Sequence, residues 1–164
     1  MCIRDRYRRA FVHRSYCTRK NENYYDGNVH CPHKCMPLQE ESNERLEFLG
    51  DAVLNTTIGI YLFHRYPDEN EGFLTMTRSK LVNGEMLARL AESISIGKHV
   101  IISQQIEING GRNNKKILED TFEAFIGAIV IDFGDEGFKK ASDWIIHIME
   151  EYVDFSDLMM QRNN

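Results

Sequence analysis

The stretch from Asn43 to Asn55 (NERLEFLGDAVLN) constrains the fold of this chain more than any other. Its apolar residues recur at spacings of three and four, which predicts a helix: Leu46, Leu49 and Val53. Glu47 and Asp51 are four residues apart, so both carboxylates project from one helix face on adjacent turns. Like charges at that spacing repel each other, which is a small cost with no structural return.

A second acidic pair lies far downstream in KILEDTFEAF, where Asp120 and Glu123 are three residues apart on another predicted helix. If the two helices pack face to face, four acidic side chains converge in one pocket. Such a set of oxygen ligands suits a hard cation, Mg²⁺ or Mn²⁺. The sequence therefore predicts a metal site formed by Glu47, Asp51, Asp120 and Glu123; the alternative is that each carboxylate lies on a solvated helix face.

These motifs resemble those of a known family. NERLEFLGD, followed by a helix with D-x-x-E, resembles the signature of the ribonuclease III family, endonucleases that cut double-stranded RNA. Two shorter motifs match the same family in the same order: HRSY from His13 to Tyr16, and GGR from Gly110 to Arg112. The resemblance extends from about Phe11 to about Tyr152. It implies a single helical endonuclease domain of the ribonuclease III type.

The resemblance also implies an activity. It implies hydrolysis of phosphodiester bonds in double-stranded RNA by a divalent-metal-dependent homodimer that leaves short 3′ overhangs. The four carboxylates match the catalytic metal-binding positions of the family. The chief alternative is a catalytically silent, dimeric module that binds double-stranded RNA or serves as a scaffold. A di-iron carboxylate protein is disfavoured, because no histidine follows Glu47, Asp51 or Glu123 at the Glu-x-x-His spacing.

Two further residues acquire roles from the resemblance. Phe48 matches a phenylalanine that packs into a socket on the second subunit, and an ordinary core phenylalanine is the alternative. Lys116 precedes Asp120 by one helical turn and matches a lysine that stabilises the scissile phosphate in some members. A solvent-exposed lysine at a helix start is the alternative.

Other polar residues are candidates for supporting the site or contacting RNA. Asn43 and Asn55 are candidates for hydrogen bonds that orient the metal-binding carboxylates, although Asn43 can also cap the helix. Glu44 and Arg45 flank the site, and the resemblance places Glu44 near the substrate and the subunit interface. The candidate phosphate contacts are basic residues: Arg78, Lys80, Arg112, Lys115 and Lys116.

Composition bounds the class of protein. With 164 residues, 42% hydrophobic and 27% charged, the chain is long enough for one domain and short for two. The net charge of −5 counts mildly against a nucleic-acid-binding protein, and bound metal would offset part of it. No signal peptide or membrane span is visible, and four cysteines then predict a cytoplasmic or other reducing intracellular compartment. No organic cofactor is expected.

A polar segment from Thr18 to Glu41 is predicted to be a long loop. It contains HCPHKC, which allows a zinc site formed by Cys17, Cys31, Cys35 and one histidine, for example His33. The spacing matches no standard pair of C-x-x-C knuckles, so a surface loop with free thiols is the alternative.

The remaining pattern predicts an all-α fold. Helices are expected at 7–16, 43–65, 73–82, 85–95, 115–132 and 136–152. A short β-branched run at 99–103 has no second strand to pair with, and 104–114 is predicted to be a loop. Residues 1–6 fit no part of the family pattern and are treated as extraneous. The polar tail, 153–164, is predicted to be linker-like, which favours a fragment of a longer protein.

Overall fold

The computed structural model describes residues 3–18 and 36–160, and these form an all-α domain. In chain order the α-helices are α1 (Ile3–Ala10), α2 (Glu44–Arg65), α3 (Glu71–Leu81), α4 (Gly84–Ser93), α5 (Gln104–Ile108), α6 (Lys115–Phe133), α7 (Gly137–Tyr152) and α8 (Phe155–Met160). Short 3₁₀ turns lie between them at Arg14–Tyr16, Ile96–His99, Gly111–Asn113 and Gly134–Glu136. Within the described ranges there is no strand, and the predicted all-α class is confirmed.

Helices α2 and α6 form the centre of the domain. Helix α6 packs against α1, α2, α4 and α7, so it is covered along most of its length. Its sequence is apolar on nearly every side, which is the pattern of a helix buried in a core. Most of the largest fully buried side chains come from these two helices and α4, among them Leu54, Ile58, Leu87, Leu90, Phe122 and Ile126.

Helix α2 is the one described helix that is long and apolar enough to cross a membrane by length and composition alone. Core helices share this property, and α2 packs against α3, α6 and α7. Its first turns also carry four charged residues that a bilayer would disfavour: Glu44, Arg45, Glu47 and Asp51.

The N-terminal part of the chain differs from the prediction. The predicted helix at 7–16 begins earlier, at Ile3, and ends at Ala10. Residues 3–6, which were predicted to be extraneous, therefore lie in α1. Arg6 donates to the carbonyl oxygen of Ile131 at 3.0 Å and lies 3.6 Å from the carboxylate of Asp132. These long-range contacts attach α1 to the end of α6.

The segment between α4 and α6 was also predicted incorrectly in part. Helix α4 ends at Ser93 rather than Ser95, and Ser95, not Gly97, adopts the left-handed conformation, with φ of 59°. The predicted loop at 104–114 contains α5, because the side chain of Ser103 caps that helix by accepting from Ile106 N. The β-branched run forms one isolated bridge, from Ile101 to Val12.

The tail after α7 forms a further helix as far as Met160, instead of a linker throughout 153–164. Asp154 caps α8 by accepting from Ser156 N at 2.8 Å and Asp157 N at 3.3 Å. The guanidinium of Arg65 lies 4.6 Å from the centre of the Phe155 ring, which ties α8 to the end of α2.

The proposed zinc ligands Cys31, His33 and Cys35 lie outside the described residues. Cys17 is half-buried, and its Sγ is 3.9 Å from the carbonyl oxygen of His13. Most of the predicted loop at 18–41 likewise lies outside the described ranges, so the zinc site stays a prediction.

Candidate metal centre

The candidate metal centre lies where α2 crosses α6, and two glycines allow the crossing to be close. A Cβ atom at Gly50 would lie 1.7 Å from the carbonyl oxygen of Glu123, and one at Gly127 would lie 2.2 Å from that of Leu46. Both distances are far shorter than van der Waals contact, so glycine is required at both positions for this approach. The two backbones therefore touch beside the acidic residues of each helix.

Three carboxylates meet at this crossing. One carboxylate oxygen from each of Glu47, Asp120 and Glu123 lies within 4.8 Å of the other two. Glu123 is only 6% exposed, and the other two side chains are half-buried. Ligands on one Mg²⁺ or Ca²⁺ are at most about 4–5 Å apart, since each bond is about 2.0–2.6 Å long. The three oxygens can therefore contact a single cation.

Asp51, the fourth predicted ligand, lies on the solvent side of this group. It is exposed on α2, and its Oδ1 accepts from Asn55 Nδ2 at 2.8 Å. It does not belong to the close triangle, although its charge is one cause of the raised pKa of Glu123. This position suits a ligand that acts through a water molecule, with Asn55 fixing its orientation.

Burial and like charges raise the pKa of the inner carboxylates. Desolvation is the main cause that raises the pKa of Glu123 from 4.5 to about 8, and neighbouring carboxylates add to it: Asp51, Glu119 and Glu47. The pKa of Glu47 is also raised, chiefly by burial and next by the charge of Asp120. A divalent cation would supply the positive charge that these buried acids lack. The all-oxygen donor set therefore fits a hard divalent cation.

Lys116 borders the centre at the start of α6. Its Nζ lies 2.8 Å from Asp120 Oδ1 and 3.3 Å from Glu119 Oε2, and its side chain is 66% exposed. These carboxylates raise its pKa, the hydrogen bond to Asp120 first, so the ammonium group is charged. Lys116 is thus solvent-exposed and also adjoins the centre, and its contact with the scissile phosphate stays a prediction.

Glu119, whose side chain is only 21% exposed, was not predicted from the sequence as part of the centre. Its charge raises the pKa of Glu123, one turn further along α6. The pair Glu119 and Glu123 has the same spacing of four as Glu47 and Asp51, and this was the signal that could have revealed it.

The predicted supporting residues have different positions. Asn43 is buried, and its Nδ2 donates to the carbonyl oxygen of Ala10 at 3.1 Å. Its side chain makes no capping bond, so it connects α2 to α1 rather than capping the helix. Glu44 is exposed and accepts from Ser42 Oγ at 2.7 Å. Neither side chain has a contact with the three inner carboxylates among the described hydrogen bonds.

Arg112 is engaged within the protein. It pairs with Glu107 at 2.7 Å, and its Nη1 donates to the carbonyl oxygens of Gly97, Lys98 and Val100. These bonds connect the loop before α6 to the 3₁₀ turn after α4. The predicted phosphate contact by Arg112 is thus disfavoured, because its guanidinium has protein partners.

The other predicted phosphate contacts are more available. Lys115 and its partner Glu85 are 2.8 Å apart, and both are largely exposed. On α3, Arg78 is exposed and Lys80 is half-buried.

Phe48 projects from α2 with 78% of its surface exposed. It therefore is not a core phenylalanine within the described chain. Beside it is a depression of about 620 Å³, lined by residues of α1, α2 and α6 that include Arg9, Arg45, Leu49 and Ile131. An exposed aromatic side chain next to a partly apolar depression is a surface suited to a protein partner.

Comparison with known proteins agrees with this arrangement. A family model described as ribonuclease-III-like matches residues 5–152. The chain belongs to that family. A probable ribonuclease 3 of Acanthamoeba polyphaga mimivirus is 41% identical over 155 residues, or 94% of this chain and 28% of the relative. Ribonuclease 3 of Nitratiruptor sp. is 44% identical over 117 residues, or 71% of this chain and 50% of the relative.

Solved structures show the same fold. The nuclease domain of ribonuclease III from Campylobacter jejuni, described as flexible in a region involved in dimer formation, superposes with a TM-score of 0.73 and 34% identity over 90% of this chain and 87% of that one. A Dicer from Pichia stipitis gives a TM-score of 0.60 and 26% identity over 92% of this chain and 57% of that one. The chain spans half or less of the curated ribonuclease 3 relatives described above.

Proposed function

We propose that this chain is a divalent-metal-dependent endoribonuclease that hydrolyses phosphodiester bonds of double-stranded RNA as a homodimer and leaves short 3′ overhangs. One observation supports it most. In a ribonuclease-III-like chain, three carboxylate oxygens lie within 4.8 Å of one another at a crossing that glycines make close. Buried acidic side chains placed together do not improve the packing of a core, and such clusters are typical of functional sites.

The proposed centre assigns a task to each side chain. When bound, Mg²⁺, or Mn²⁺ in its place, supplies charge neutralisation at the scissile phosphate and lowers the pKa of a bound water. Glu47, Asp120 and Glu123 would hold the ion directly, and Asp51 would hold it through water. Lys116, charged and exposed at the rim, would contact a phosphate oxygen.

The geometry of the proposed substrate and the exposure of Phe48 support the proposed homodimer. Two antiparallel strands are equivalent under a twofold axis, so a twofold dimer presents one centre to each strand. Phe48 and the adjoining depression lie on one surface, as an isologous interface requires, so each subunit can insert its Phe48 into the other's depression. The exposed lysines near the start of α6 would contact phosphates of the duplex.

The deciding experiment is incubation of a perfectly paired RNA duplex with the purified chain, in Mg²⁺ and then in EDTA. Metal-dependent cuts with paired 3′ overhangs are expected. The matched control is Glu123→Gln, which removes a ligand and keeps the volume. A Mg²⁺-dependent shift of the duplex without cleavage would contradict the proposed hydrolysis and favour a binding module.

A further inference from the structure

The Glu119 carboxylate is close both to Lys116 and to Gly84, the first residue of α4. Its Oε2 is 3.3 Å from Lys116 Nζ. A Cβ atom at Gly84 would lie only 2.7 Å from the same Oε2. Glycine at position 84 therefore leaves room for the Glu119 carboxylate at the start of α4. The start of a helix is also a favourable place for a carboxylate.

Lys116 is shared between two carboxylates with different surroundings. Asp120, 2.8 Å from Nζ, belongs to the triangle of oxygens that fits a cation. Glu119 does not belong to that triangle. A carboxylate that contacts a divalent cation holds an ammonium group less strongly, because the cation and the ammonium group repel each other. A second anionic partner would therefore keep Lys116 beside the centre once a cation is bound.

We propose that Glu119 is a positioning residue that retains Lys116 at the rim of the centre when Asp120 holds a divalent cation. This inference rests on the proposed function, because it concerns the same centre. It makes Glu119 a partner of Lys116 rather than a metal ligand. Without the Glu119 charge, Lys116 remains on Asp120 and competes with the cation for that carboxylate.

The test is calorimetric titration of Mg²⁺ into four proteins: the parent, Glu119→Gln, Lys116→Met and the double variant. Glu119→Gln is expected to weaken Mg²⁺ binding by about 10-fold in the parent and by less than about 2-fold when Lys116 is already methionine, since residues in direct contact are coupled. The matched control is Asp143→Asn. This substitution breaks the exposed ion pair between Lys139 and Asp143 on α7, whose charged atoms are 2.8 Å apart, and should leave Mg²⁺ affinity unchanged.

The outcomes separate the two proposals. Equal weakening by Glu119→Gln with and without Lys116 would overturn the inference, because Glu119 would then act on the cation directly. No weakening in either background would also overturn it. A parent that fails to bind Mg²⁺ would overturn the proposed metal dependence and the inference together. Cleavage assays on the same proteins should show a lower kcat for Glu119→Gln with a nearly unchanged KM.

Discussion

Glu123 is an acidic side chain buried among other acidic side chains. In the absence of a cation, burial and the charges around it disfavour ionisation, so it holds a proton up to a pH of about 8. The packing of α2 against α6 therefore has an electrostatic cost at neutral pH. The ionised form of Glu123 is unfavourable in the metal-free folded protein, and a bound cation would make it favourable. The stability of the chain should therefore depend on whether the metal is bound.

Replacement of Glu123 by glutamine should separate activity from stability. The amide has nearly the same volume but carries no charge, so the expected result is loss of cleavage together with equal or higher thermal stability in EDTA. Cleavage and calorimetric unfolding of both proteins would check this. A variant that retains full activity would exclude Glu123 as a metal ligand.

The free energy of unfolding of the metal-free protein should change with pH in one direction. The pKa of Glu123 is about 8 in the folded protein and 4.5 as its ordinary value, so between these values the folded state binds more protons than the unfolded state. The free energy of unfolding contributed by this group therefore falls as pH rises from about 4.5 to 8. Unfolding in EDTA at several pH values should show this fall in the parent and a weaker one in Glu123→Gln. Saturating Mg²⁺ should stabilise the parent more at pH 8 than at pH 6.

At the scale of elements, the contact between α2 and α6 determines the geometry of the centre. Gly50→Ala would place a methyl group against the Glu123 carbonyl, so the helices must separate. We expect a loss of roughly 1–3 kcal/mol of stability, as for other overpacked sites, together with weakened Mg²⁺ binding.

Gly59 is the matched control on the same helix. A Cβ atom there would meet only Arg78 Nη1, at 3.8 Å, which is ordinary contact. Gly59→Ala should stabilise the protein by about 0.5–1 kcal/mol, because alanine favours the helix interior. Denaturant unfolding of both variants would check the pair. Equal effects of the two substitutions would contradict a close helix crossing at Gly50.

The same elements show what the sequence could predict. Periodicity predicted α2 and α6 because long apolar patterns identify a helix and its buried face, and the carboxylate spacing followed from helix geometry. The role of Gly50 and Gly127 was not predictable, since a glycine within a helix indicates only lower propensity until the neighbouring backbone is known. Helix α5 was missed because five residues show no period. The structural role of Arg112 was not predictable, because its carbonyl partners meet only in the folded chain.

At the scale of the whole molecule, Phe48 tests the proposed dimer. Phe48→Ala should leave the stability of a single subunit nearly unchanged, because the side chain is 78% exposed. It should weaken dimerisation by roughly 2 kcal/mol or more if Phe48 fills a pocket on the second subunit. Sedimentation equilibrium would measure this. Ile108→Ala, at a residue 71% exposed on α5, is the control and should not change self-association. A parent that sediments as a monomer at all concentrations would contradict the proposed homodimer.

The glycine contact between α2 and α6 also bears on how this domain can change over evolutionary time. Substitution of the inner acids removes repulsion and leaves the architecture intact, so loss of chemistry is an easy mutational path. Substitution of Gly50 or Gly127 disturbs the architecture itself. Homologous domains that have lost catalytic activity should therefore retain both glycines even where the acidic residues have been substituted. A copy that keeps its acids but has bulkier residues at those two positions should seldom survive selection for folding.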